Sequence, residues 1–217
     1  MTPKISRRHV IKMGMAIPSV SLLHSSTALA GLFTPEQTQG PFYPLTRPED
    51  SDFDLIHIDG HDNTAMGTPI RVVGRISNSQ GNPIGAAHIE IWQANAQGRY
   101  HHPDDANRAP LDPDFQGYGT VISNVQGEYQ FKTVLPGAYP ATSSWTRPPH
   151  IHFKIKKHGY QSLTTQMYFP GEGLNQADRI LQSLSPHHQA QLISVKRIDS
   201  TGPDPVHQYV FNIVIGQ

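Results

Sequence analysis

The 217-residue sequence contains no cysteine. Thiolate metal sites, cysteine nucleophiles and disulfide bonds are therefore excluded, and the fold must be stabilised by its hydrophobic core. An excess of positive charge is also missing, because 17 basic residues are balanced by 17 acidic residues. Nucleic acid is not an expected partner, since binding to phosphates requires a concentrated basic surface.

Residues 1–30 have the features of an export signal. The pair Arg7-Arg8 precedes an apolar run over residues 13–23, and a small-x-small cleavage pattern ends at Ala30. This pattern predicts a cleaved twin-arginine signal peptide and a periplasmic protein with no membrane contact after cleavage. An uncleaved membrane anchor is the alternative, although Pro18 interrupts the apolar run. The signal carries four basic residues and no acidic ones, so its removal leaves 13 basic against 17 acidic residues.

Short runs rich in β-branched and aromatic residues, separated by Gly, Pro, Asn and Asp, dominate residues 31–217. Such runs are typical of an antiparallel β-sandwich. The sequence therefore predicts a single all-β domain over residues 31–217, with long loops and at most one or two short helices. The predicted strands are Ile70–Ile76, His88–Ala94, Tyr129–Leu135, His150–Lys156, Thr164–Phe169, Gln191–Ile198 and Gln208–Ile215.

Helix signal is scarce outside one segment. Apolar residues at helical spacing predict a helix over Ala177–Leu184, with Asn175 as a candidate cap and Pro186 beyond its end. A long polar stretch with three prolines separates Tyr100 from Gly119. A loop of this length in a compact domain is typically functional or disordered.

Strand alternation places two histidines together. In the run His150–Lys156, His150 and His152 share one face, while Ile151 and Phe153 share the other. Two imidazoles on one strand face can bind one metal ion, but they can also decorate a solvent-exposed face. Other histidines in polar or terminal settings are interpreted as surface residues: His57, His61, His101, His102, His158, His187, His188 and His207.

Two tyrosines have a comparable setting. Tyr100 and Tyr139 each end or follow a glycine-containing turn that leaves a strand, which aims the side chain over the rim of the sheet. Phenolate oxygens and imidazole nitrogens together form a hard ligand set that suits a ferric ion better than zinc or copper. The remaining tyrosines are interpreted as structural anchors: Tyr43, Tyr118, Tyr129, Tyr160, Tyr168 and Tyr209.

Several motifs occur in the order found in one enzyme family. They are Thr38-Gln39-Gly40-Pro41-Phe42-Tyr43-Pro44, Ile91-Trp92-Gln93-Ala94-Asn95 with Gly98-Arg99-Tyr100, Ala109-Pro110-Leu111-Asp112-Pro113, Pro136-Gly137-Ala138-Tyr139-Pro140, and Arg147-Pro148-Pro149-His150-Ile151-His152-Phe153. Over most of residues 31–217 the sequence resembles the intradiol ring-cleavage dioxygenases, and among them the iron-bearing subunits of the protocatechuate 3,4-dioxygenases. The resemblance implies a β-sandwich with iron at its edge.

The resemblance also implies a ligand set and roles for neighbouring residues. A non-haem ferric ion, Fe(3+), would be bound by four side chains: Tyr100, Tyr139, His150 and His152. Tyr139 would leave when the diol chelates the metal. Arg147 would stabilise negative charge on the ring, and Gln166 would lie beside the substrate.

The implied reaction joins a catechol-type diol with dioxygen and yields a cis,cis-muconate-type product. Protocatechuate is one possible substrate, but Ala141 stands where the protocatechuate enzymes carry tryptophan, and the segment between Tyr139 and His150 is about two residues shorter. Implied partners are a second copy of the chain, as a homo-oligomer, or an iron-free partner subunit.

Two alternatives remain open at this level. The strand motifs alone also suit a non-enzymatic, transthyretin-like periplasmic binding module. A zinc or copper protein that uses only His150 and His152 is the other.

Overall fold

The computed structural model of the chain describes residues 33–199 and 206–217. The predicted signal peptide at residues 1–30 therefore lies outside the described residues. Within the described ranges, the longest helices are too short and too polar to cross a membrane.

Strands dominate the described part of the chain. Only one α-helix accompanies them there, α1 at Pro186–Leu192, together with 3-10 helices at Gly173–Ala177 and Leu181–Ser183. The strands are β1 Pro69–Ser77, β2 His88–Trp92, β3 Tyr118–Ile122, β4 Glu128–Val134, β5 Tyr139–Thr142, β6 Trp145–Arg147, β7 His150–Lys156, β8 Leu163–Tyr168, β9 Val195–Asp199, β10 Val206–Val210 and β11 Ile213–Val214.

Two sheets pack face to face, which confirms the predicted β-sandwich. The first sheet places β1 between β4 and the β10–β11 segment, with β9 at its outer edge. The second has the order β3-β2-β7-β8 and is antiparallel throughout. A separate hairpin joins β5 to β6.

Two pairings depart from the antiparallel expectation. β10 and β11 run parallel to β1, pairing Ile70 with His207 and Ile76 with Ile213. Parallel neighbours require a long connection. That requirement is met here, because the whole second sheet lies between β1 and β10 along the chain.

The core lies between the two sheets and contains the strand side chains that point to the inner face of each sheet. From β7, Ile151, Phe153 and Ile155 are fully buried. Phe153 packs against Phe131 and Phe211 of the first sheet, with ring centroids 5.9 and 5.2 Å apart. Each such ring stabilises the fold by about 1.5–3 kcal/mol through burial. The opposite face of β7 is therefore positioned firmly.

The predictions for the C-terminal third were partly wrong. Ala177–Leu184 does not form the predicted helix: it is divided between two 3-10 helices, and Asp178 between them has an extended backbone. The α-helix begins where the predicted one was to stop, because Ser185 caps it and Pro186 occupies its first turn. The predicted strand Gln191–Ile198 is shortened to β9, since its first residues complete α1.

Candidate metal centre

Tyr100 ends a tight turn that leaves β2. Asn95 organises this turn, because its Oδ1 accepts hydrogen bonds from two backbone N–H groups of the turn, both at 3.0 Å. Gly98 has a φ of +81°, a left-handed conformation that favours glycine. The backbone N–H of Tyr100 donates to Asp105 Oδ2 at 2.7 Å and so fixes the start of the long loop.

A contact between two glycines brings the second tyrosine beside the first. A Cβ atom on Gly137 would lie 2.4 Å from the backbone nitrogen of Gly98, and one on Gly98 would lie 2.2 Å from the carbonyl oxygen of Ala138. Only glycine allows two backbones to approach so closely. Tyr139 follows directly and begins β5, so the ring centroids of Tyr100 and Tyr139 lie 5.5 Å apart.

The β7 histidines lie on the strand face opposite the main core, which confirms the predicted alternation. Trp92 of β2 pairs with His152 in the register and stacks on its ring, with centroids 4.8 Å apart. Both His150 and His152 are buried, at 2% and 3% exposure. Burial excludes the interpretation that these histidines decorate a solvent-exposed face.

The four predicted ligand side chains surround one space. Ring centroids are 4.9 Å apart for His150 and His152, 5.6 Å for Tyr139 and His150, and 6.4 Å for Tyr100 and His152. With the contact between the two tyrosines, these distances close a circuit of four rings. Residues 50 positions apart in the sequence thus meet at one end of the second sheet.

Burial keeps the four rings uncharged when no metal is bound. Burial raises the pKa of Tyr100 well above its ordinary value of 10, and it raises the pKa of Tyr139 as well. Burial, and next the charge of Arg147, lowers the pKa of His150 well below 6.5 and that of His152 to about 3. The rings alone are therefore two neutral phenols and two neutral imidazoles. Ionising the phenols requires a strongly charged metal nearby.

Several polar atoms of these rings lack partners. Three of these atoms are buried and form no hydrogen bond: the Tyr100 hydroxyl, His150 Nε2 and His152 Nδ1. His150 Nδ1 lies 2.7 Å from the carbonyl oxygen of Pro148, so Nδ1 carries the proton and Nε2 keeps its lone pair. Unpaired buried groups are costly unless a ligand satisfies them. The donor set fits a ferric ion.

Within residues 33–199 and 206–217 no cluster of three or more His, Cys, Asp or Glu side chains offers a different metal site. A metal ion at the paired histidines would need additional ligands, and the two tyrosines are the neighbours that can supply them. This arrangement disfavours the zinc or copper alternative, because phenolate oxygens are hard ligands.

Arg147 is held beside the rings by a buried network. Its Nη2 donates to Gln166 Oε1 at 2.6 Å and to the Tyr168 hydroxyl at 3.1 Å. Its Nε lies 2.9 Å from a carboxylate oxygen of Asp178, which is completely buried. Gln166 Nε2 donates to the backbone carbonyl of Thr38, so both ends of that amide are engaged. Gln166 thus contacts Arg147 directly.

A cavity of about 500 Å³ opens beside the rings. Tyr139 and Arg147 line it, together with Trp145, Ile180 and the exposed Ala141. Tyr100 does not line this cavity and packs instead against Phe42, with centroids 4.7 Å apart. Tyr100 borders a different cavity, of about 690 Å³, so the two tyrosines face different cavities.

Some residues of the site were not predicted. Asp178 fell within the wrong helix, and no local signal marks it. Tyr168, interpreted as a structural anchor, contacts Arg147; it lies two residues after Gln166, so strand alternation would have placed both on one face. The surface interpretation of His102 was wrong, because this residue of the long loop is buried, at 8% exposure.

Comparison with known proteins gives a consistent picture. The Dioxygenase_C family model, described as Dioxygenase, matches residues 38–217. The chain is 38% identical to the protocatechuate 3,4-dioxygenase beta chain of Burkholderia cepacia, covering 83% of this chain and 79% of that one. It is 33% identical to the 6-chlorohydroxyquinol 1,2-dioxygenase of Cupriavidus pinatubonensis, covering 54% of this chain and 46% of the relative.

Solved structures agree in fold. The dioxygenase domain of a carbohydrate-binding fusion from Streptomyces sp. SirexAA-E superimposes with a TM-score of 0.62 at 27% identity, covering 85% of this chain and 98% of that chain. The 3-chlorocatechol 1,2-dioxygenase of Rhodococcus opacus 1CP gives 0.67 at 23% identity, covering 84% and 72%. The matches to enzymes disfavour the non-enzymatic binding module.

Proposed function

The protein belongs to the intradiol ring-cleavage dioxygenases, and we propose that it cleaves catechol-type diols with a ferric ion bound by Tyr100, Tyr139, His150 and His152. The observation that carries this proposal is the closed circuit of these four buried rings next to a cavity. When bound, ferric iron supplies Lewis-acid chemistry that ionises coordinated phenols and activates the diol toward dioxygen.

The two tyrosines have different roles. Tyr139 lines the cavity, so an entering diol would meet its phenol oxygen, which, once ionised, could accept a proton from the diol. Tyr100 is packed behind it against Phe42 and is tied to Asp105 through its backbone. Tyr100 would therefore serve to hold the ion and would not contact a diol in this cavity.

Arg147 supplies a fixed positive charge at the cavity. The attractions of surrounding groups outweigh burial and raise the pKa of its guanidinium, so Arg147 stays protonated. Its contacts with Gln166 and Asp178 prevent the side chain from turning away. A charge held in this way stabilises an anionic ring during oxygen attack without reorganisation. Gln166 acts by orienting Arg147.

The overall reaction balances without another reductant. The carbon–carbon bond between the two hydroxylated carbons breaks, and both atoms of dioxygen enter the product, a cis,cis-muconate. The protein residues hold the diol, exclude competing water and move protons at the phenol of Tyr139. The ring carbons supply all the electrons that dioxygen accepts.

The test compares two buried tyrosines. Tyr100→Phe should remove the phenolate-to-iron absorption band of the iron-loaded protein and its oxygen uptake with catechol. Tyr118→Phe is the control, because Tyr118 belongs to the same apolar cluster and does not line the cavity. Iron content, product mass with labelled dioxygen and the absorption band are measured together. A Tyr100→Phe protein that keeps both the band and the activity would refute the ligand assignment.

Export and assembly are further parts of the proposal. Support for export comes from the Arg7-Arg8 pair and the apolar run after it, all outside the described residues. Fractionation of cells that express the wild type or the variant with both arginines replaced by lysine tests it. Light scattering of the purified protein tests whether it forms a homo-oligomer or requires an iron-free partner subunit.

A further inference from the structure

The charges that line the cavity beside Tyr139 are mostly negative. The charged lining residues are Asp104, Asp105 and Arg147, and the remainder of the wall is neutral. A ring substituent of a diol bound at Tyr139 must project into this space or out through it. With two acidic side chains and one basic side chain, the lining therefore favours a positively charged substituent over a negatively charged one.

The single cation of this wall is already paired. Arg147 Nε lies 2.9 Å from the buried carboxylate of Asp178, and Arg147 Nη2 donates to Gln166 and Tyr168. A second arginine, Arg179, does not line the cavity; its guanidinium lies 5.4 Å from the ring centroid of Trp145, which does. The Nε and Nη2 groups of Arg147 are therefore engaged by protein partners and not by a ring substituent.

The two acidic residues have no lysine or arginine partner in the described chain. Asp105 is buried, and its oxygens accept hydrogen bonds from the backbone N–H groups of Tyr100 and Asn107, at 2.7 and 2.9 Å. Asp104 is 74% exposed, with His102 Nδ1 3.9 Å away. That nitrogen accepts a hydrogen bond from the Asp104 backbone N–H at 3.2 Å.

We propose that the cavity selects catechols whose ring substituent is neutral or positively charged and rejects catechols that carry a carboxylate. This inference rests on the proposed function, since the diol must bind on the Tyr139 side. A carboxylate substituent would meet two acidic side chains, whereas the one cation of the lining, Arg147, is held by Asp178 and Gln166. Contacts between like charges suppress binding of the wrong partner. An alkyl substituent can extend along Pro140 and Ala141, while an aminoalkyl substituent can also reach Asp104.

The experiment uses the iron-loaded protein with four diols: catechol, 4-methylcatechol, 4-(2-aminoethyl)catechol and 3,4-dihydroxybenzoate. We expect kcat/KM for the methyl and aminoethyl compounds to exceed that for the benzoate by about tenfold or more, which corresponds to about 1.4 kcal/mol. Calorimetric titration in the absence of oxygen measures binding separately from turnover. The same order of affinities is expected there.

A matched pair of variants assigns the effect to the wall. Asp104→Asn should reduce the selectivity for aminoethyl over carboxylate by about threefold, because an exposed charge contributes modestly. Asp62→Asn removes an exposed charge that does not line the cavity and should leave this ratio unchanged. A benzoate that is cleaved and bound as well as the methyl compound would overturn the proposal, and so would an unchanged ratio in Asp104→Asn.

The outcome for unsubstituted catechol separates this inference from the proposed function. A protein that cleaves catechol but prefers the benzoate retains the proposed function and loses the inference. If none of the four diols is cleaved, the proposed function fails. The calorimetric order of affinities then decides the charge preference by itself.

Discussion

Replacement of Asp178 by asparagine tests the buried network that holds Arg147. Asp178 is completely buried and Arg147 is 4% exposed, and their charged groups lie 2.9 Å apart. The change keeps the shape of the side chain and removes its charge. Because the guanidinium stays protonated, the variant contains a buried cation whose principal counter-charge is missing.

The expected loss of stability depends on which partners the Arg147 guanidinium keeps in the variant. Removing one partner of a buried ion pair costs about 3–5 kcal/mol, because the remaining charge is left uncompensated. Gln166 and Tyr168 still accept hydrogen bonds from Arg147, which limits the loss. We therefore expect a decrease of about 3 kcal/mol in the free energy of unfolding. The turnover number should decrease as well, since the cation is less firmly oriented.

Urea unfolding at neutral pH measures the decrease. Asp54→Asn is the matched control, because Asp54 pairs with Lys132 at 2.8 Å on the surface, where Lys132 is 48% exposed. Such exposed pairs contribute about 0.5 kcal/mol. A double-mutant cycle with Arg147→Met and Asp178→Leu should give a coupling above about 1 kcal/mol. Equal costs for Asp178→Asn and the surface control, or additive effects in the cycle, would refute the reasoning.

Two further predictions concern a turn and a buried carboxylate. Gly98→Ala should destabilise the protein by several kcal/mol more than Gly81→Ala. Both glycines have φ near +80°, but only a Cβ on Gly98 would lie 2.2 Å from the carbonyl oxygen of Ala138. Comparable shifts in the melting temperature of the two variants would contradict this. Burial raises the pKa of Glu90, but hydrogen bonds, the largest from Tyr43, lower it below the ordinary 4.5 overall. The stability due to Glu90 is therefore present above about pH 4.5 and is lost as pH falls toward the folded-state value. Glu90→Gln should weaken the pH dependence in this range, and identical acid-unfolding curves would disprove it.

Local patterns of the sequence predicted three strands of the second sheet, β2, β7 and β8, together with the histidine pair, but they did not predict β3. Strand alternation over His150–Lys156 depends only on the period of two, and the apolar set of Ile151, Phe153 and Ile155 leaves one possible orientation. The turns before Tyr100 and Tyr139 were visible through their glycines. The contact between the two turns could not be predicted in this way, because Gly98 and Gly137 come together only in the folded chain.

The region around Asp178 shows why local patterns fail. Apolar spacing over Ala177–Leu184 favours a helix, yet Asp178 is drawn toward Arg147, and its backbone is extended at φ −75° and ψ 112°. A buried ion pair overrides helix propensity, which amounts to only a few tenths of a kcal/mol per residue. If the ion pair between Asp178 and Arg147 is not considered, Pro186 is equally compatible with a position after the end of one helix and with the first turn of another.

The different settings of the two tyrosines would make the proposed metal centre firm on one side and open on the other. Tyr100 is fixed by its packing on Phe42 and by the hydrogen bond to Asp105, and it is only 3% exposed. Tyr139 begins the short β5–β6 hairpin, which pairs with neither large sheet in the described chain, and it borders the cavity. Because Arg147 pairs with Tyr139 in that hairpin, the proposed exchangeable ligand and the cation at the cavity belong to one structural unit.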